Sequence, residues 1–331
     1  MSNLLKNRQV EFRLLVVLVV LCIGLSLTTD TFFTMGNITA LLNNNSVNLI
    51  WAVGLLVVLI AGGIDISFAV ASSVVQYLAA KFLMAIGGGN WVLGFLVCGA
   101  LGTALGLINA GLIHKFRIIS IVVTIATFNA YFGLLMFFSG GKSIFALPDW
   151  WTARVILFEH QSADGSWSEL TLPFAVMVVC VALTWILIRR VNIGRELYAF
   201  GDNPEGARRA GVSIAAMQAL AFGWCGLMAG IAGLMQVNIV QEVVPNALYG
   251  RELEVLAAVV LGGARLGGGR GTITGCALGV MFVAVTQNGL NLLGVSPFAF
   301  KMIIGAAILI AISTANIDFS NIFGKRAEGR K

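Results

Sequence analysis

Residues 91–113 read WVLGFLVCGALGTALGLINAGLI and contain no charged side chain. About 20 helical residues cross the hydrocarbon core of a bilayer, so a stretch of this length and composition is a candidate membrane span. The stretch lacks the period-two alternation of a barrel strand and is rich in Leu, Ala and Gly, which favours a helix.

Comparable apolar runs recur along the whole chain. Of its 331 residues, 58% are hydrophobic and only 11% are charged, whereas soluble domains are about 45–50% apolar and about 25% charged. The runs predict a single all-α integral membrane domain, residues 1–331, with about ten transmembrane helices. The predicted spans are 14–29, 46–62, 66–86, 91–113, 118–138, 170–188, 214–236, 252–264, 272–292 and 300–315. The segment 252–264 is short for a full span, and a re-entrant segment is the alternative.

The distribution of basic residues predicts the orientation. With both termini in the cytoplasm, 16 of the 21 Lys and Arg residues fall on the inner side, as the positive-inside rule requires. These residues are Lys6, Arg8, Arg13, Lys115, Arg117, Arg189, Arg190, Arg195, Arg208, Arg209, Arg265, Arg270, Lys325, Arg326, Arg330 and Lys331. The same count places the loop 139–169 outside, with its tryptophans at or near the membrane interface.

The inner loop 189–213 carries the signals of a short helix outside the bilayer. Asp202 or Asn203 can cap it, Pro204 suits its first turn, and Gly211 can end it. Glu205 lies near the positive end of the helix dipole and two arginines lie near its negative end. A helix this short is not stable alone in water, so we expect it to dock against a partner. An ordinary connector on the membrane surface is the alternative.

Three motifs resemble those of ribose-type permeases, the membrane subunits of carbohydrate ABC importers. The first, in the inner loop, comprises Gly194, Arg195, Tyr198, Ala199, Gly201, Asn203, Ala207, Arg208 and Gly211. The second is AGGIDIS at 61–67, and the third is LGG at 261–263 followed by GGG at 267–269. The sequence of residues 201–208 is slightly more similar to the autoinducer-2 and rhamnose-like branch of the family. The motifs occur in the order and spacing of the family and cover nearly the whole chain.

The resemblance implies a function and a set of partners. The short helix would be a cytoplasmic coupling helix that inserts into a separate ATPase subunit, so ATP and Mg²⁺ would bind that subunit and this chain would be no enzyme. The implied coupling residues are Gly194, Arg195, Tyr198, Gly201, Asp202, Asn203, Ala207, Arg208, Arg209 and Gly211. The other implied partners are a second permease subunit, identical or paralogous, a periplasmic or extracellular sugar-binding protein, and membrane lipid, but no nucleic acid. The implied location is the bacterial plasma (inner) membrane. No phosphate-binding loop motif occurs in the sequence, which agrees with an external energy source.

A translocation path or gate would need polar groups within the spans. Its candidate residues are Gly62, Gly63, Asp65, Ser67, Asn109, Asn129, Gln287 and Asn288. Two glycines release the backbone from helical geometry before Asp65, which can simply cap the following helix, and this structural role is the interpretation we favour. Other polar residues within spans, Asn48 and Gln236 among them, are individually more typical of interhelical hydrogen bonds.

Two other classes of protein remain as alternatives. An ion-coupled secondary transporter usually places acids or broken-helix cation sites near the membrane midplane, where Asp65 is the only strong candidate. An intramembrane enzyme needs paired acids, a metal-ligand set or a nucleophile with its base, and the sequence offers none of these. No metal site is predicted.

Overall fold

The computed structural model describes residues 2–161, 167–296, 298–303, 305–306 and 309, and the chain is mostly helical. The helices are α1 (Ser2–Thr28), α2 (Met35–Asn44), α3 (Ser46–Ile60), α4 (Phe68–Ala85), α5 (Trp91–Phe116), α6 (Ser120–Ser139), α7 (Asp149–Thr152), α8 (Leu172–Arg189), α9 (Asn192–Asp202), α10 (Pro204–Arg209), α11 (Ile214–Val240), α12 (Glu252–Leu261) and α13 (Ile273–Leu292). Strands β1 (Ile156–Gln161) and β2 (Trp167–Thr171) form an antiparallel hairpin between α7 and α8.

Seven helices in the described residues are long and apolar enough to cross a membrane. They are α4, α5, α6, α8, α11, α13 and the part of α1 from Gln9 to Thr28. Helices α2 and α3, bent by 44° at Asn45, together add an eighth. The predicted segment 252–264 forms only the ten-residue α12, and most of the predicted span 300–315 lies outside the described residues.

Helix α11 occupies the centre of the bundle and packs against α3, α4 and α5. Helices α5 and α11 approach closely because glycines face each other. A Cβ atom on Gly102 would lie 2.2 Å from the carbonyl oxygen of Gly226. Such small-residue contacts are the usual way for membrane helices to pack backbone against backbone. Helix α3 is the most buried element, and Asn48 is its only residue that is not buried.

The long helices run between two ends of the bundle, and the central pair α5 and α11 is antiparallel. At one end, which we call the hairpin end, Trp151 donates its indole N–H to Leu234 O at 2.9 Å, near the end of α11. At the other end, which we call the α10 end, His114 at the end of α5 contacts Gln218 at the start of α11. Trp151 is fully buried against α11, so its ring contacts protein and not lipid, and the place of the loop tryptophans at the membrane interface stays a prediction.

Candidate functional site

The short helix predicted in the inner loop is confirmed as α10. The Asn203 side chain accepts the Gly206 N–H at 2.9 Å, and Pro204 is the first helical residue. Gly211, at φ +89°, follows the helix, and the Val212 N–H returns to Ala207 O at 3.0 Å. This is the glycine-based C-terminal cap of the Schellman type. Asn203 is therefore the capping residue, while Asp202 is the last residue of α9.

The charged residues of α10 form one exposed surface. Arg208 donates to Glu205 through Nε at 3.1 Å and Nη2 at 2.9 Å, and Arg209 donates through Nε at 3.3 Å. The hydrogen bond and positive charge of Arg208 lower the pKa of the Glu205 carboxyl, so the pair stays ionised at neutral pH. On the opposite face, Ala207 is buried. The helix thus packs through one face and leaves both arginines exposed.

Helix α9, which the sequence analysis did not predict, docks α10 onto the bundle. Its buried face consists of Gly194, Leu197, Phe200 and Gly201, and its other residues are partly or fully exposed. A Cβ atom on Gly194 would lie 2.5 Å from a carbonyl oxygen at the end of α8. Arg195, in contrast, is exposed and bonds locally to Asn192. Glycine is therefore required at position 194 for the close packing of α9 against α8.

The structure brings all three family-like motifs together at the α10 end. We call this contact the glycine junction and define it as Gly62, Gly201, Gly268 and Gly269. A Cβ atom on Gly201 would lie 1.8 Å from Ile60 O, and one on Gly268 would lie 2.5 Å from Gly201 O. Backbone atoms of α3, α9 and the loop between α12 and α13 thus touch directly.

Two hydrogen bonds fix the glycine junction. The Gly269 N–H donates to Ile60 O at 2.9 Å, which joins the α12–α13 loop to the end of α3. The Tyr198 hydroxyl donates to Gly271 O at 2.7 Å, which joins α9 to the same loop. Helix α9 is therefore in direct contact with the end of α3 and bonded to the α12–α13 loop.

The chain break next to the junction is held by polar groups from the neighbouring helices. Asp65 is buried, and its Oδ1 accepts both the N–H and the hydroxyl of Ser67 at 2.7 Å. Asn109 on α5 donates to the Ser67 hydroxyl at 2.8 Å, and Ser120 on α6 accepts the Ile64 N–H at 2.9 Å. Ser67 occupies the N-cap position of α4, so Asp65 braces the turn before the helix rather than capping it as predicted.

The other candidate path residues lie elsewhere. Asn129 is exposed and donates to Ile125 O on its own helix. Gln287 and Asn288 lie at the hairpin end, where Asn288 and Asn37 exchange two hydrogen bonds of 2.8 and 3.0 Å. The candidates therefore divide into a group around Gly62–Ser67 with Asn109, a group at the far end of α13, and the isolated Asn129.

A polar cluster at the hairpin end contains one predicted path residue, Gln287, and two charged residues that the choice of site residues missed, Arg251 and Glu254. Arg251 donates to Asn48 Oδ1 at 2.8 Å and to Gln236 Oε1 at 3.4 Å. Glu254 accepts from Gln287 Nε2 at 3.4 Å. The sequence signal for this cluster was three charged residues within 251–254, immediately before an apolar run.

Comparison with known proteins identifies the family. Residues 37–312 match the family described as branched-chain amino acid transport system / permease component. The chain belongs to this family. It is 30% identical over 314 residues to the ribose import permease protein of Escherichia coli (strain K12), covering 92% of this chain and 94% of that protein. It is 32% identical over 295 residues to the ribose import permease protein of Bacillus subtilis (strain 168), covering 89% of each.

A third relative is an autoinducer 2 import system permease protein from Photorhabdus luminescens, 30% identical over 313 residues, which cover 94% of this chain and 91% of that protein. No solved structure matches the chain. The predicted resemblance to ribose-type permeases is confirmed. The chain is a multi-pass permease of the bacterial inner membrane and serves as the membrane subunit of an ABC importer. Ribose and autoinducer-2 permeases match it at similar identity, so both branches fit.

Proposed function

We propose that this permease moves a sugar or sugar-like solute into the cytoplasm and that α10 is its coupling helix. The printed names of its relatives, which import ribose and autoinducer 2, support this class of solute. ATP and Mg²⁺ bind the partner ATPase, and this chain supplies only the membrane path. The importer would contain two permease subunits, identical or paralogous, two ATPase subunits and an external binding protein.

The observation that carries the coupling role is the contrast between the two faces of the α9–α10 segment. One face is exposed and charged, with Arg208 and Arg209 available to a partner protein. The other face reaches the glycine junction, where it contacts the backbones of α3 and the α12–α13 loop. A segment with one face exposed to a partner and the other packed against backbone atoms is suited to transmit a movement of the partner to the membrane domain.

The proposed topology has ten spans with both termini in the cytoplasm. The α10 end would face the cytoplasm and the hairpin end would face outward, which agrees with the basic character of 189–213. Single cysteines at His160 and Glu205, which are both exposed, test this orientation. A membrane-impermeant maleimide applied to intact cells should label His160→Cys and spare Glu205→Cys. Labelling of both from the same side would refute the topology.

The coupling role is tested by replacing α10 with a Gly/Ser linker of equal length in the complete importer. We expect normal insertion, loss of uptake, and loss of the stimulation of ATP hydrolysis by the loaded binding protein. Normal uptake would show that the coupling assignment is wrong. Removal of the ATPase subunit should abolish uptake, and collapse of the proton gradient should leave it unchanged. The opposite pattern would identify an ion-coupled transporter.

A further inference from the structure

Helix α6 carries a polar side chain halfway across the membrane, on a face that the subunit leaves open. The helix packs against α4 and α5, whereas Asn129, the tenth of its twenty residues, is exposed. The Asn129 amide nitrogen donates to Ile125 O, and the amide oxygen has no partner among the described residues. Polar side chains within a span usually face other helices or a water-filled cavity, because lipid offers no hydrogen bonds. The position of Asn129 therefore indicates a face that is not covered by lipid.

A second polar group, the hydroxyl of Tyr249, lies near Asn129. The Tyr249 ring is 5.3 Å from the ring of Phe128 and 4.6 Å from the ring of Phe132, measured between centroids. These two phenylalanines flank Asn129 in the sequence, one position before it and three positions after it. The Tyr249 side chain is 51% exposed, and within the described part of the chain its hydroxyl forms no hydrogen bond. The phenylalanines thus hold the tyrosine ring in place while its hydroxyl stays available to another molecule.

Tyr249 belongs to the irregular segment 241–251, which enters the membrane domain beside α6. At the hairpin end, Val243 and Ile144 exchange two backbone hydrogen bonds of 3.0 Å just beyond the end of α6. The two phenylalanines that contact Tyr249 lie seven and eleven residues before that end, which places the tyrosine ring about 10–16 Å from it. Irregular backbone at this depth is tolerated only where it is buried in protein or lines a water-filled cavity.

The subunit itself does not bury this segment. Asn246, Ala247 and Tyr249 are exposed, although Leu248 between them is buried. What lies opposite is therefore the second permease subunit or water between the two subunits. Water satisfies the free amide oxygen of Asn129 and the tyrosine hydroxyl without any matching group on the other subunit. An aromatic ring beside a few polar groups is also the usual lining of a small-molecule site.

We propose that Asn129 and Tyr249 contact the sugar as it passes between the two permease subunits. The inference rests on the proposed function, which supplies both the class of solute and the second subunit. An amide both donates and accepts, so Asn129 can exchange hydrogen bonds with sugar hydroxyl groups in either direction. The C–H groups on one side of a sugar ring pack against the face of the Tyr249 ring, whose electrons attract them. These contacts replace water around the passing sugar.

The first test asks whether water reaches this face. The complete importer in proteoliposomes, hydrolysing ATP with its binding protein present, is treated with a charged, membrane-impermeant methanethiosulfonate, which reacts with thiolates. Leu134→Cys is the matched control for Asn129→Cys, because Leu134 is exposed on the same helix but lies about 140° around its axis. Incorporation of the reagent is measured directly. We expect modification of Asn129→Cys, and for Leu134→Cys only the background of the five native cysteines.

The second test measures uptake of radiolabelled ribose, fructose and rhamnose per ATP hydrolysed. Asn129→Leu, which loses the amide at similar size, and Tyr249→Ala, which loses the ring, should lower this ratio about tenfold, equivalent to about 1.4 kcal/mol. Asn129→Gln and Tyr249→Phe keep the amide and the ring, so they should lose less than about threefold. Leu134→Ala should match the wild type. A packing role would be filled by leucine as well as by glutamine, so this pattern identifies a contact with the sugar.

Three results would overturn the contact and leave the proposed function intact. One is an unmodified Asn129→Cys in an assembled importer, which would show that lipid or a dry contact with the second subunit covers the face. Another is normal import by Asn129→Leu and Tyr249→Ala. The third is an equal loss in the conservative and the disruptive variants, which would indicate packing. A wild-type importer that carries none of the three sugars would instead overturn the proposed class of solute, and the sugar contact with it.

Discussion

Gly201→Ala should disconnect the coupling segment from the membrane helices. The new Cβ atom would lie 1.8 Å from Ile60 O and 2.7 Å from the Gly269 nitrogen. Ordinary contact begins at 3.4 Å, so α9 and the end of α3 must move apart by about 1.6 Å to reach it. The obstructing atoms belong to the backbone and cannot rotate away. The close approach of α9 to α3 is therefore lost whatever rotamers the neighbouring side chains adopt.

The magnitude follows from the contacts that such a shift breaks. Overpacking of a close interface costs about 1–3 kcal/mol. A buried polar group left without a partner costs about 1–3 kcal/mol more, and the Gly269 N–H loses its 2.9 Å bond to Ile60 O. We therefore expect Gly201→Ala to lower the stability of the docked α9 by about 2–6 kcal/mol. That loss is enough to release the segment while the spanning helices remain inserted.

The assay is the number of solute molecules imported per ATP hydrolysed by the complete importer, together with the thermal stability of the solubilised permease. Gly201→Ala should lower both. Gly133→Ala is the matched control, because no atom lies within 4 Å of the position that a Cβ would take there on α6. If Gly201→Ala transported and unfolded like Gly133→Ala and the wild type, the backbone contact would not carry the coupling, and the reasoning would be wrong.

Three further predictions concern the same helices. Tyr198→Phe removes the hydroxyl that donates to Gly271 O and should lower the free energy of unfolding by about 1–2 kcal/mol. An unchanged free energy of unfolding in denaturation experiments would show that this hydrogen bond does not stabilise the protein. Gly102→Ala should reduce the yield of folded permease in size-exclusion chromatography because its Cβ would meet backbone of α11 at 2.2 Å, whereas Gly111→Ala, with open space, should not. The pKa of Glu205 is lowered by Arg208, so their ion pair is complete at neutral pH and is lost only on acidification through that pKa. The number of solute molecules imported per ATP should be measured for Glu205→Gln and for the wild type, and their ratio should be constant between about pH 6 and pH 8. A ratio that changes with pH in this range would refute the prediction.

The apolar runs predicted the long helices well because each depends on local composition. The run 91–113 became α5, and 214–236 became α11 with one further turn at its end. The cap at Asn203 was also predictable, since a capping side chain acts on its own helix. Such features need no knowledge of tertiary contacts.

Elements that depend on distant contacts were not predictable. Helix α2 is short and rich in asparagine, and it packs against β2, where the Asn43 amide donates to Glu169 O and its oxygen accepts the Thr171 N–H. The sequence analysis left both α2 and the hairpin without secondary structure. The glycine junction was missed for the same reason: Gly62, Gly201 and Gly268 lie far apart in the sequence, and only the fold shows which backbone each one contacts.

Helices α3 and α12 connect the polar cluster at the hairpin end to the glycine junction at the α10 end. Helix α3 begins near Asn48 in the polar cluster and ends at Ile60 in the glycine junction, and these residues are about 18 Å apart at 1.5 Å per residue. Helix α12 begins after Arg251 and leads directly into the loop that carries Gly268. Packed helices move as rigid bodies because close-packed interiors do not deform continuously. A displacement of α9 at the glycine junction should therefore shift Asn48 and Arg251 relative to α13.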